Sequence, residues 1–266
     1  MKIQWLGHSA FLLHGKNRVL IDPFLTGNPK AAARPEDVDC DIICVTHGHF
    51  DHLGDAVAIA RRTGAEVACI VEMSLYLEKC EVKATGFNLG GTIKLKDTSI
   101  SMVPALHSSS IGAPGLEFSA AMPTGMVVDS GKVVYHAGDT TVFSDMKLVG
   151  DLYKPDVALL PIGGFYTMDP RQAALATKFI RPKVVVPMHY GTWPPIEQDP
   201  REFAKLVKKE CKAEVKIMTP GEVVEVSSLM ARVVTPLEIR QRHGPLFARR
   251  LITLVDERPG RARIFE

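Results

Sequence analysis

Long apolar runs are missing from this chain: no stretch approaches the roughly 18 consecutive apolar residues that a membrane-spanning helix requires. The N-terminal run Ile3–Gly15 is interrupted by Gln4, Gly7 and His8, which makes it a poor signal-peptide core, so it reads as a strand. Cysteine is sparse. Its five residues (Cys40, Cys44, Cys69, Cys80, Cys211) are odd in number and form no CxxC pair, so neither a disulfide framework nor a four-cysteine zinc site is supported. Buried thiols in a reducing cytoplasm are the expectation. Excess charge of one sign is also lacking. With 32 basic and 30 acidic residues the net charge is +2, which argues against a dedicated nucleic-acid binder or an acidic disordered tail. There is no internal repeat, no low-complexity tract and no GxSxG, and Gly90-Gly91 and Gly163-Gly164 lack the spacing of a phosphate-cradling loop.

What is present suits a soluble α/β protein. A chain of 266 residues, 46% of them hydrophobic, can bury a sizeable core in one large domain or two small ones. Met1–His14 and Asn17–Asp22 read as paired strands joined at Gly15-Lys16, followed by an apolar strand over Asp41–Thr46. Gly54–Thr63 has helical character and stops at Gly64; Glu66–Val71 reads as a strand and Met73–Lys79 as a short helix. From Thr92 to Tyr135 the period changes to two, which predicts consecutive antiparallel strands. The runs DVALLPI and KVVVPM are apolar throughout, as strands covered on both faces should be. Asp169-Pro170 starts a helix with an N-cap and a proline at N1, and Asp199-Pro200-Arg201-Glu202 reads as a second start with a capping box. Two short strands around Pro220-Gly221 are expected within Lys216–Val226.

The pattern ends near Val226, which divides the chain into a body, 1–226, and an arginine-rich extension, 227–266. All 17 lysines precede Ser227, whereas 8 of the 15 arginines follow it. The extension reads either as a weakly docked appendage or as an arm for homo-oligomerisation or for anionic substrates.

The segment Thr46-His47-Gly48-His49-Phe50-Asp51-His52 places three histidines and a carboxylate in six positions after an apolar strand. Imidazole nitrogen and carboxylate oxygen are the ligands that zinc-like ions accept. In an extended loop, residues i and i+2 point the same way, so His47 and His49 can grip one ion while Asp51 and His52 face a neighbouring position. Each ion needs three or four ligands, so further ones must come from strand ends downstream. His107 follows SMVPAL, Asp139 follows VVYHAG and His189 follows VVVPM. A lone strand-end histidine is more often simply hydrogen-bonded; beside the first cluster, these three read as ligands.

This order of residues resembles the metallo-β-lactamase superfamily, and more narrowly the UPF0173 metal-dependent hydrolases, relatives of the ascorbate-phosphate lactonase type. The matching phrases are WLGHSAFLL, LIDPFLTGNP, THGHFDHLGDA, MVPALHSSS, YHAGDT, KPDVALLPIGG and MHYGTWP, spanning Met1 to about Val226. The resemblance implies a four-layer αβ/βα sandwich with two divalent ions, zinc foremost and manganese or iron as alternatives, at one edge between two sheets. It implies that His47, His49 and His107 hold one ion, that Asp51, His52 and His189 hold the other, and that Asp139 bridges them. Asp22 would orient the ligand loop rather than bind metal, as second-shell carboxylates do. His136 should point away from Asp139 and support the site, and His8 is either supporting or a packed core histidine. Phe50, where a small residue is common, would narrow the mouth, and Tyr190 and Asp169 would flank its edges.

The implied chemistry is hydrolysis of a small ester, lactone or phosphodiester by a metal-bridging hydroxide, with Asp51 orienting the nucleophile and relaying a proton. Two alternatives stand beside it: a metal-dependent nuclease, disfavoured by the balanced charge, and a non-catalytic metal-binding regulator. A small-molecule partner is expected, with neither nucleic acid nor membrane.

Overall fold

The computed structural model describes residues 1–111, 118–119 and 121–226. Strands β1 (Lys2–Gly7), β2 (Ala10–His14), β3 (Arg18–Ile21), β4 (Ile42–Cys44), β5 (Glu66–Ile70) and β6 (Ala84–Phe87) belong to one sheet. Strands β7 (Thr92–Leu95), β8 (Thr98–Pro104), β11 (Thr124–Asp129), β12 (Val133–His136), β13 (Val157–Pro161), β14 (Val184–Met188) and β15 (Glu214–Val215) form the second. A two-stranded ribbon, β9 (Ser110–Ile111) with β10 (Phe118–Ser119), lies between β8 and β11 in the chain, and β16 (Val223–Glu225) returns to pair with β1.

The first sheet runs β16-β1-β2-β3-β4-β5-β6 and the second β15-β14-β13-β12-β11-β8-β7. Each is antiparallel where hairpins build it and parallel where helices cross over, as at β3–β4–β5–β6 and β12–β13–β14. Helices α1 (Phe50–Leu53), α2 (Ala56–Thr63) and α3 (Val71–Lys79) accompany the first sheet; α4 (Met146–Tyr153), α5 (Pro170–Ile180) and α6 (Pro200–Glu210) cover the second.

Alternation along the apolar strands explains the layering. Val157 and Leu159 of β13, with Val184, Val186 and Met188 of β14, join the core shared with the first sheet. Ala158, Leu160 and Val185, the intervening residues, pack instead with Met146, Ala173, Ile180 and Phe203 of the covering helices. A strand apolar at every position is therefore buried on both faces, and the result is the four-layer αβ/βα sandwich.

Several local expectations change. Met1–His14 is two antiparallel strands, because the chain reverses at Gly7-His8-Ser9 with His8 at φ 54. Asp199 Oδ1 accepts from Arg201 N at 2.9 Å, while Glu202 pairs with Lys205 instead of reaching back, so that helix has an N-cap without the reciprocal box. The full capping box is at Asp169, whose carboxylate accepts from Gln172 N at 2.7 Å while Gln172 Oε1 accepts from Asp169 N. The strands near Pro220-Gly221 are Glu214–Val215 and Val223–Glu225, and they lie in different sheets. The extension 227–266 and its possible roles lie outside the described residues. No helix of the described residues is long and apolar enough to cross a membrane.

Candidate metal centre

The carboxyl ends of β3 and β4 and the loops after β8, β12 and β14 meet at one edge of the sandwich, and each delivers part of a His/Asp cluster. Backbone there is bent. Asp22 after β3, His189 after β14 and His8 after β1 take φ values of 46, 55 and 54, a left-handed region that costs a non-glycine residue about 1 kcal/mol or more. Gly138 turns at φ 62 just before Asp139, and a Cβ there would lie 2.5 Å from Thr124 O. These kinks aim side chains of strand-terminal residues across the edge.

His47 and His49 leave β4 in a loop, and Asp51 and His52 sit on the single turn α1. His47 Nε2 and His49 Nδ1 are 3.0 Å apart, near the separation of about 3.3 Å expected of two nitrogens bound to one ion at roughly 2.0–2.1 Å. Donor atoms of His47, His49 and His107 lie within 4.8 Å of one another, as do those of His47, His52 and Asp139. A third such group is His8, Asp51, His52 and His189. Asp139 joins the halves: Oδ1 is 3.2 Å from His52 Nε2, while Oδ2 is 3.0 Å from His189 Nε2 and 3.6 Å from His107 Nε2. All seven side chains expected as ligands thus converge; His47 and His52 each belong to two of the three groups, and the Asp139 carboxylate reaches towards His52, His189 and His107.

Asp22 stands behind them. Its Oδ2 accepts from His52 Nδ1 at 2.7 Å and from Thr46 Oγ1 at 2.7 Å, and its Oδ1 accepts from Thr46 N at 2.8 Å. Since the Thr46 hydroxyl proton goes to Asp22, its oxygen accepts from His47 Nδ1 at 3.1 Å. One carboxylate therefore orients both rings so that each Nε2 faces the centre; burial disfavours charge on His52, but Asp139, Asp22 and Asp51 raise its pKa well above the usual imidazole value. His8 donates Nε2–H to Asp51 Oδ2 at 3.1 Å and accepts from Thr192 Oγ1 at 2.7 Å. It thus supports the site through Asp51. His136 contacts none of the seven. Its Nε2–H donates to Ser9 O at 2.9 Å and its Nδ1 accepts from Gly138 N, which fixes the two loops on either side.

Electrostatics at the edge is unbalanced. Burial pushes the Asp139 carboxyl up, but His189 and His52 outweigh it and hold the group well below the usual carboxylate range. Asp51, penalised by burial and then favoured by His52, His189 and His8, ends in the same direction. Burial lowers the His189 pKa, yet Asp139 and Asp51 reverse this and raise it to about 9. Burial holds His47, His49 and His107 below the usual imidazole value, and burial with His189 brings His8 down to about 4. Among the buried side-chain atoms, His52 Nε2, Asp139 Oδ1 and both ring nitrogens of His189 have no hydrogen-bond partner. Buried polar atoms without a well-formed hydrogen bond are rare and costly, and these crowd together around the Asp139 carboxylate. A divalent cation satisfies such a donor set.

Residues 17–190 match the family described as the beta-lactamase superfamily domain. A UPF0173 metal-dependent hydrolase of Archaeoglobus fulgidus is 52% identical over 228 residues, covering 85% of this chain and 99% of the relative. The UPF0173 metal-dependent hydrolase MK1542 of Methanopyrus kandleri is also 52% identical, over 230 residues that cover 85% of this chain and all (100%) of the relative. This chain belongs to the UPF0173 metal-dependent hydrolases. Among solved structures, Igni18, a metallo hydrolase from the hyperthermophilic archaeon Ignicoccus hospitalis, is similar with a TM-score of 0.77 and 45% identity, covering 84% of this chain and 97% of that one.

In this UPF0173 chain the centre opens into a cavity of about 480 Å³ lined by His49, Phe50, Asp51, His107, Ser108, Asp139, Tyr166, His189, Trp193 and Pro195. Phe50 stands at its mouth. Tyr190 does not: it stacks on Trp5 at 5.6 Å and lines a neighbouring cavity. Asp169 caps α5 in a separate groove. Sequence reasoning missed Thr46, Thr192, Trp193 and Tyr166. Thr46 and Thr192-Trp193 each lie within four residues of a ligand candidate, which was signal enough to find them. Tyr166 sits in the loop after β13, two residues past the phrase KPDVALLPIGG but more than 20 residues from any ligand candidate.

Proposed function

We propose that the protein is a dinuclear hydrolase of a small ester, lactone or phosphodiester. His47, His49 and His107 would hold one divalent ion and Asp51, His52 and His189 a second, with Asp139 within reach of both. The observation that carries this reading is the convergence of three overlapping donor groups, linked by His47 and His52, around the Asp139 carboxylate, whose oxygens lie 3.2 Å from His52 Nε2 and 3.0 Å from His189 Nε2. Two such ions, when bound, supply Lewis acidity that brings the pKa of water towards neutrality and polarises a carbonyl or phosphoryl oxygen. Zinc suits the mixed nitrogen and oxygen set, and manganese or iron are accepted by the same residues.

The chain's own groups divide the remaining work. Asp51, kept ionised and pinned by His8, accepts a hydrogen bond from the attacking water and takes a proton on its way to the leaving group. Asp22 and Thr46 hold His47 and His52 in the tautomers that present Nε2. Ser108, at the cavity wall, is placed to meet a substrate oxygen.

Metal analysis of the purified protein, combined with a panel of a lactone, nitrophenyl esters, bis(4-nitrophenyl) phosphate, a thioester and a β-lactam, tests the reading. About two divalent ions per chain and turnover of at least one substrate are expected. His49→Ala and Asp139→Ala should each lower turnover by at least 100-fold. Turnover unchanged in both variants would remove the reading of this cluster as the catalytic centre, and bound metal with no substrate turned over would favour a metal-binding regulator.

A further inference from the structure

The metal-facing cavity has an unusual wall. Phe50 is 70% exposed and Tyr166 54%, although neither is needed to cover the core. Phe50 meets Phe24 edge-on at 5.8 Å and Trp193 at 6.1 Å, and Tyr166 is buttressed by Phe165 at 4.7 Å. Aromatic rings thus stand on the approach to His49, Asp51 and Asp139. Large rings left in water at a cavity mouth mark surface that something else covers.

Charge sharpens the point. Among the described residues lining this cavity there is no lysine or arginine, and its acids, Asp51 and Asp139, belong to the metal cluster. The fold does place cations nearby: Lys30 and Arg201 line the neighbouring cavity of about 520 Å³, on the other side of His8. A phosphate or carboxylate carried away from the scissile bond would therefore lie against rings without a cationic partner, at a desolvation cost. An alkyl or aryl group would gain about fourfold in affinity for each methylene fully buried.

We propose that the Phe50–Trp193–Tyr166 mouth is a subsite for the apolar acyl or aryl part of a neutral ester or lactone, and that it selects against substrates bearing a second anionic group. This rests on the hydrolytic reading for the reaction itself, while the subsite can be read by binding alone.

The metal-loaded protein is assayed with 4-nitrophenyl acetate and hexanoate and with the mono-4-nitrophenyl ester of adipic acid, which matches hexanoate in length but ends in a carboxylate. In parallel, 4-phenyl-2-butanone, a neutral ketone with no scissile bond, is titrated against tryptophan fluorescence. The chain has 2 tryptophans: Trp193 lines this cavity and Trp5 lines the neighbouring one, so the response to Phe50→Ala and Tyr166→Ala identifies which cavity the ketone fills. The expected results are saturable quenching by the ketone, weakened at least fivefold in Phe50→Ala or Tyr166→Ala, and a kcat/KM at least tenfold higher for hexanoate than for acetate or the adipate half-ester. Absence of saturable quenching, affinity unchanged in both variants, or equal turnover of hexanoate and the half-ester would overturn the subsite. Ketone binding that responds to both variants, in a protein that hydrolyses no ester, supports the subsite and counts against the hydrolytic reading.

Discussion

His52 Nδ1 and Asp22 Oδ2 are 2.7 Å apart, and both side chains are wholly buried. The same carboxylate accepts two more hydrogen bonds, from the amide and hydroxyl of Thr46. Asp22 thus receives three donors and presents none. It links β3 to the ligand loop while fixing how that loop's imidazoles face.

Asp22→Asn should therefore weaken metal binding more than its small change in shape implies. The amide offers one acceptor oxygen, and its NH₂ must face a donor. A 10- to 100-fold loss of zinc affinity is expected, measured by competition with a chromogenic chelator. The metal-free variant should also lose about 1–3 kcal/mol of stability in urea, since buried donors lose their acceptor. Wild-type affinity in the variant would show that Asp22 does not orient ligands.

Metal uptake should release protons. Burial disfavours charge on His189, but Asp139 and Asp51 raise its pKa to about 9, so the metal-free chain holds that proton at neutral pH. A ligand must shed its proton to bind, so affinity rises with pH, by about tenfold per unit for each proton displaced, and levels off above about 9. Calorimetric titration with zinc in buffers of different ionisation enthalpy counts the protons. Affinity constant between pH 6 and 8 would contradict this.

Gly138→Ala combines a left-handed backbone at φ 62 with a Cβ 2.5 Å from Thr124 O. A loss of about 1–3 kcal/mol is expected, with a lowered Tm and weaker metal binding, because Asp139 follows directly. A variant as stable as its parent would mean that the turn relaxes freely.

Thiol reactivity should split along burial. Burial pushes Cys40 up to about 11 and Cys69 up to about 12, and it raises Cys44 further in the same direction. All three are buried, whereas Cys80 and Cys211 are half-buried. Ellman's reagent should label Cys80 and Cys211 in the folded protein and the other three only after denaturation. Rapid labelling of Cys44 in native protein would contradict the core assignment.

Much of the architecture was legible because its signals are local. The apolar runs of β13 and β14 identify strands covered on both faces, and the period-two block identifies β7, β8, β11 and β12. The convergence of His47, His49, Asp51, His52, His107, Asp139 and His189 was foreseeable from ligand chemistry at successive strand ends and from family resemblance. What escaped depends on contacts distant in sequence. Helix α4 contains Gly150, a poor helix former, because Ile180 O of α5 lies so close that a Cβ would strike it. Strand β6, with its Gly86, carries no alternation. The reversal at His8 was hidden inside an apolar run, although it delivers the imidazole that holds Asp51. Tyr166 reaches the cavity from a loop with no ligand candidate beside it.

The candidate centre takes His47, His49, Asp51 and His52 from the first sheet and His107, Asp139 and His189 from the second. Cations seated there would act as rivets through two plates. Stripping them would leave that rim to hydrogen bonds alone, such as Thr124 N to Thr46 O and His189 N to His8 O, each 3.1 Å, and His136 Nε2 to Ser9 O at 2.9 Å. Chelated protein should then loosen at that rim while the core shared by the two sheets holds, so amides beside the rim would exchange with deuterium long before those at the opposite end.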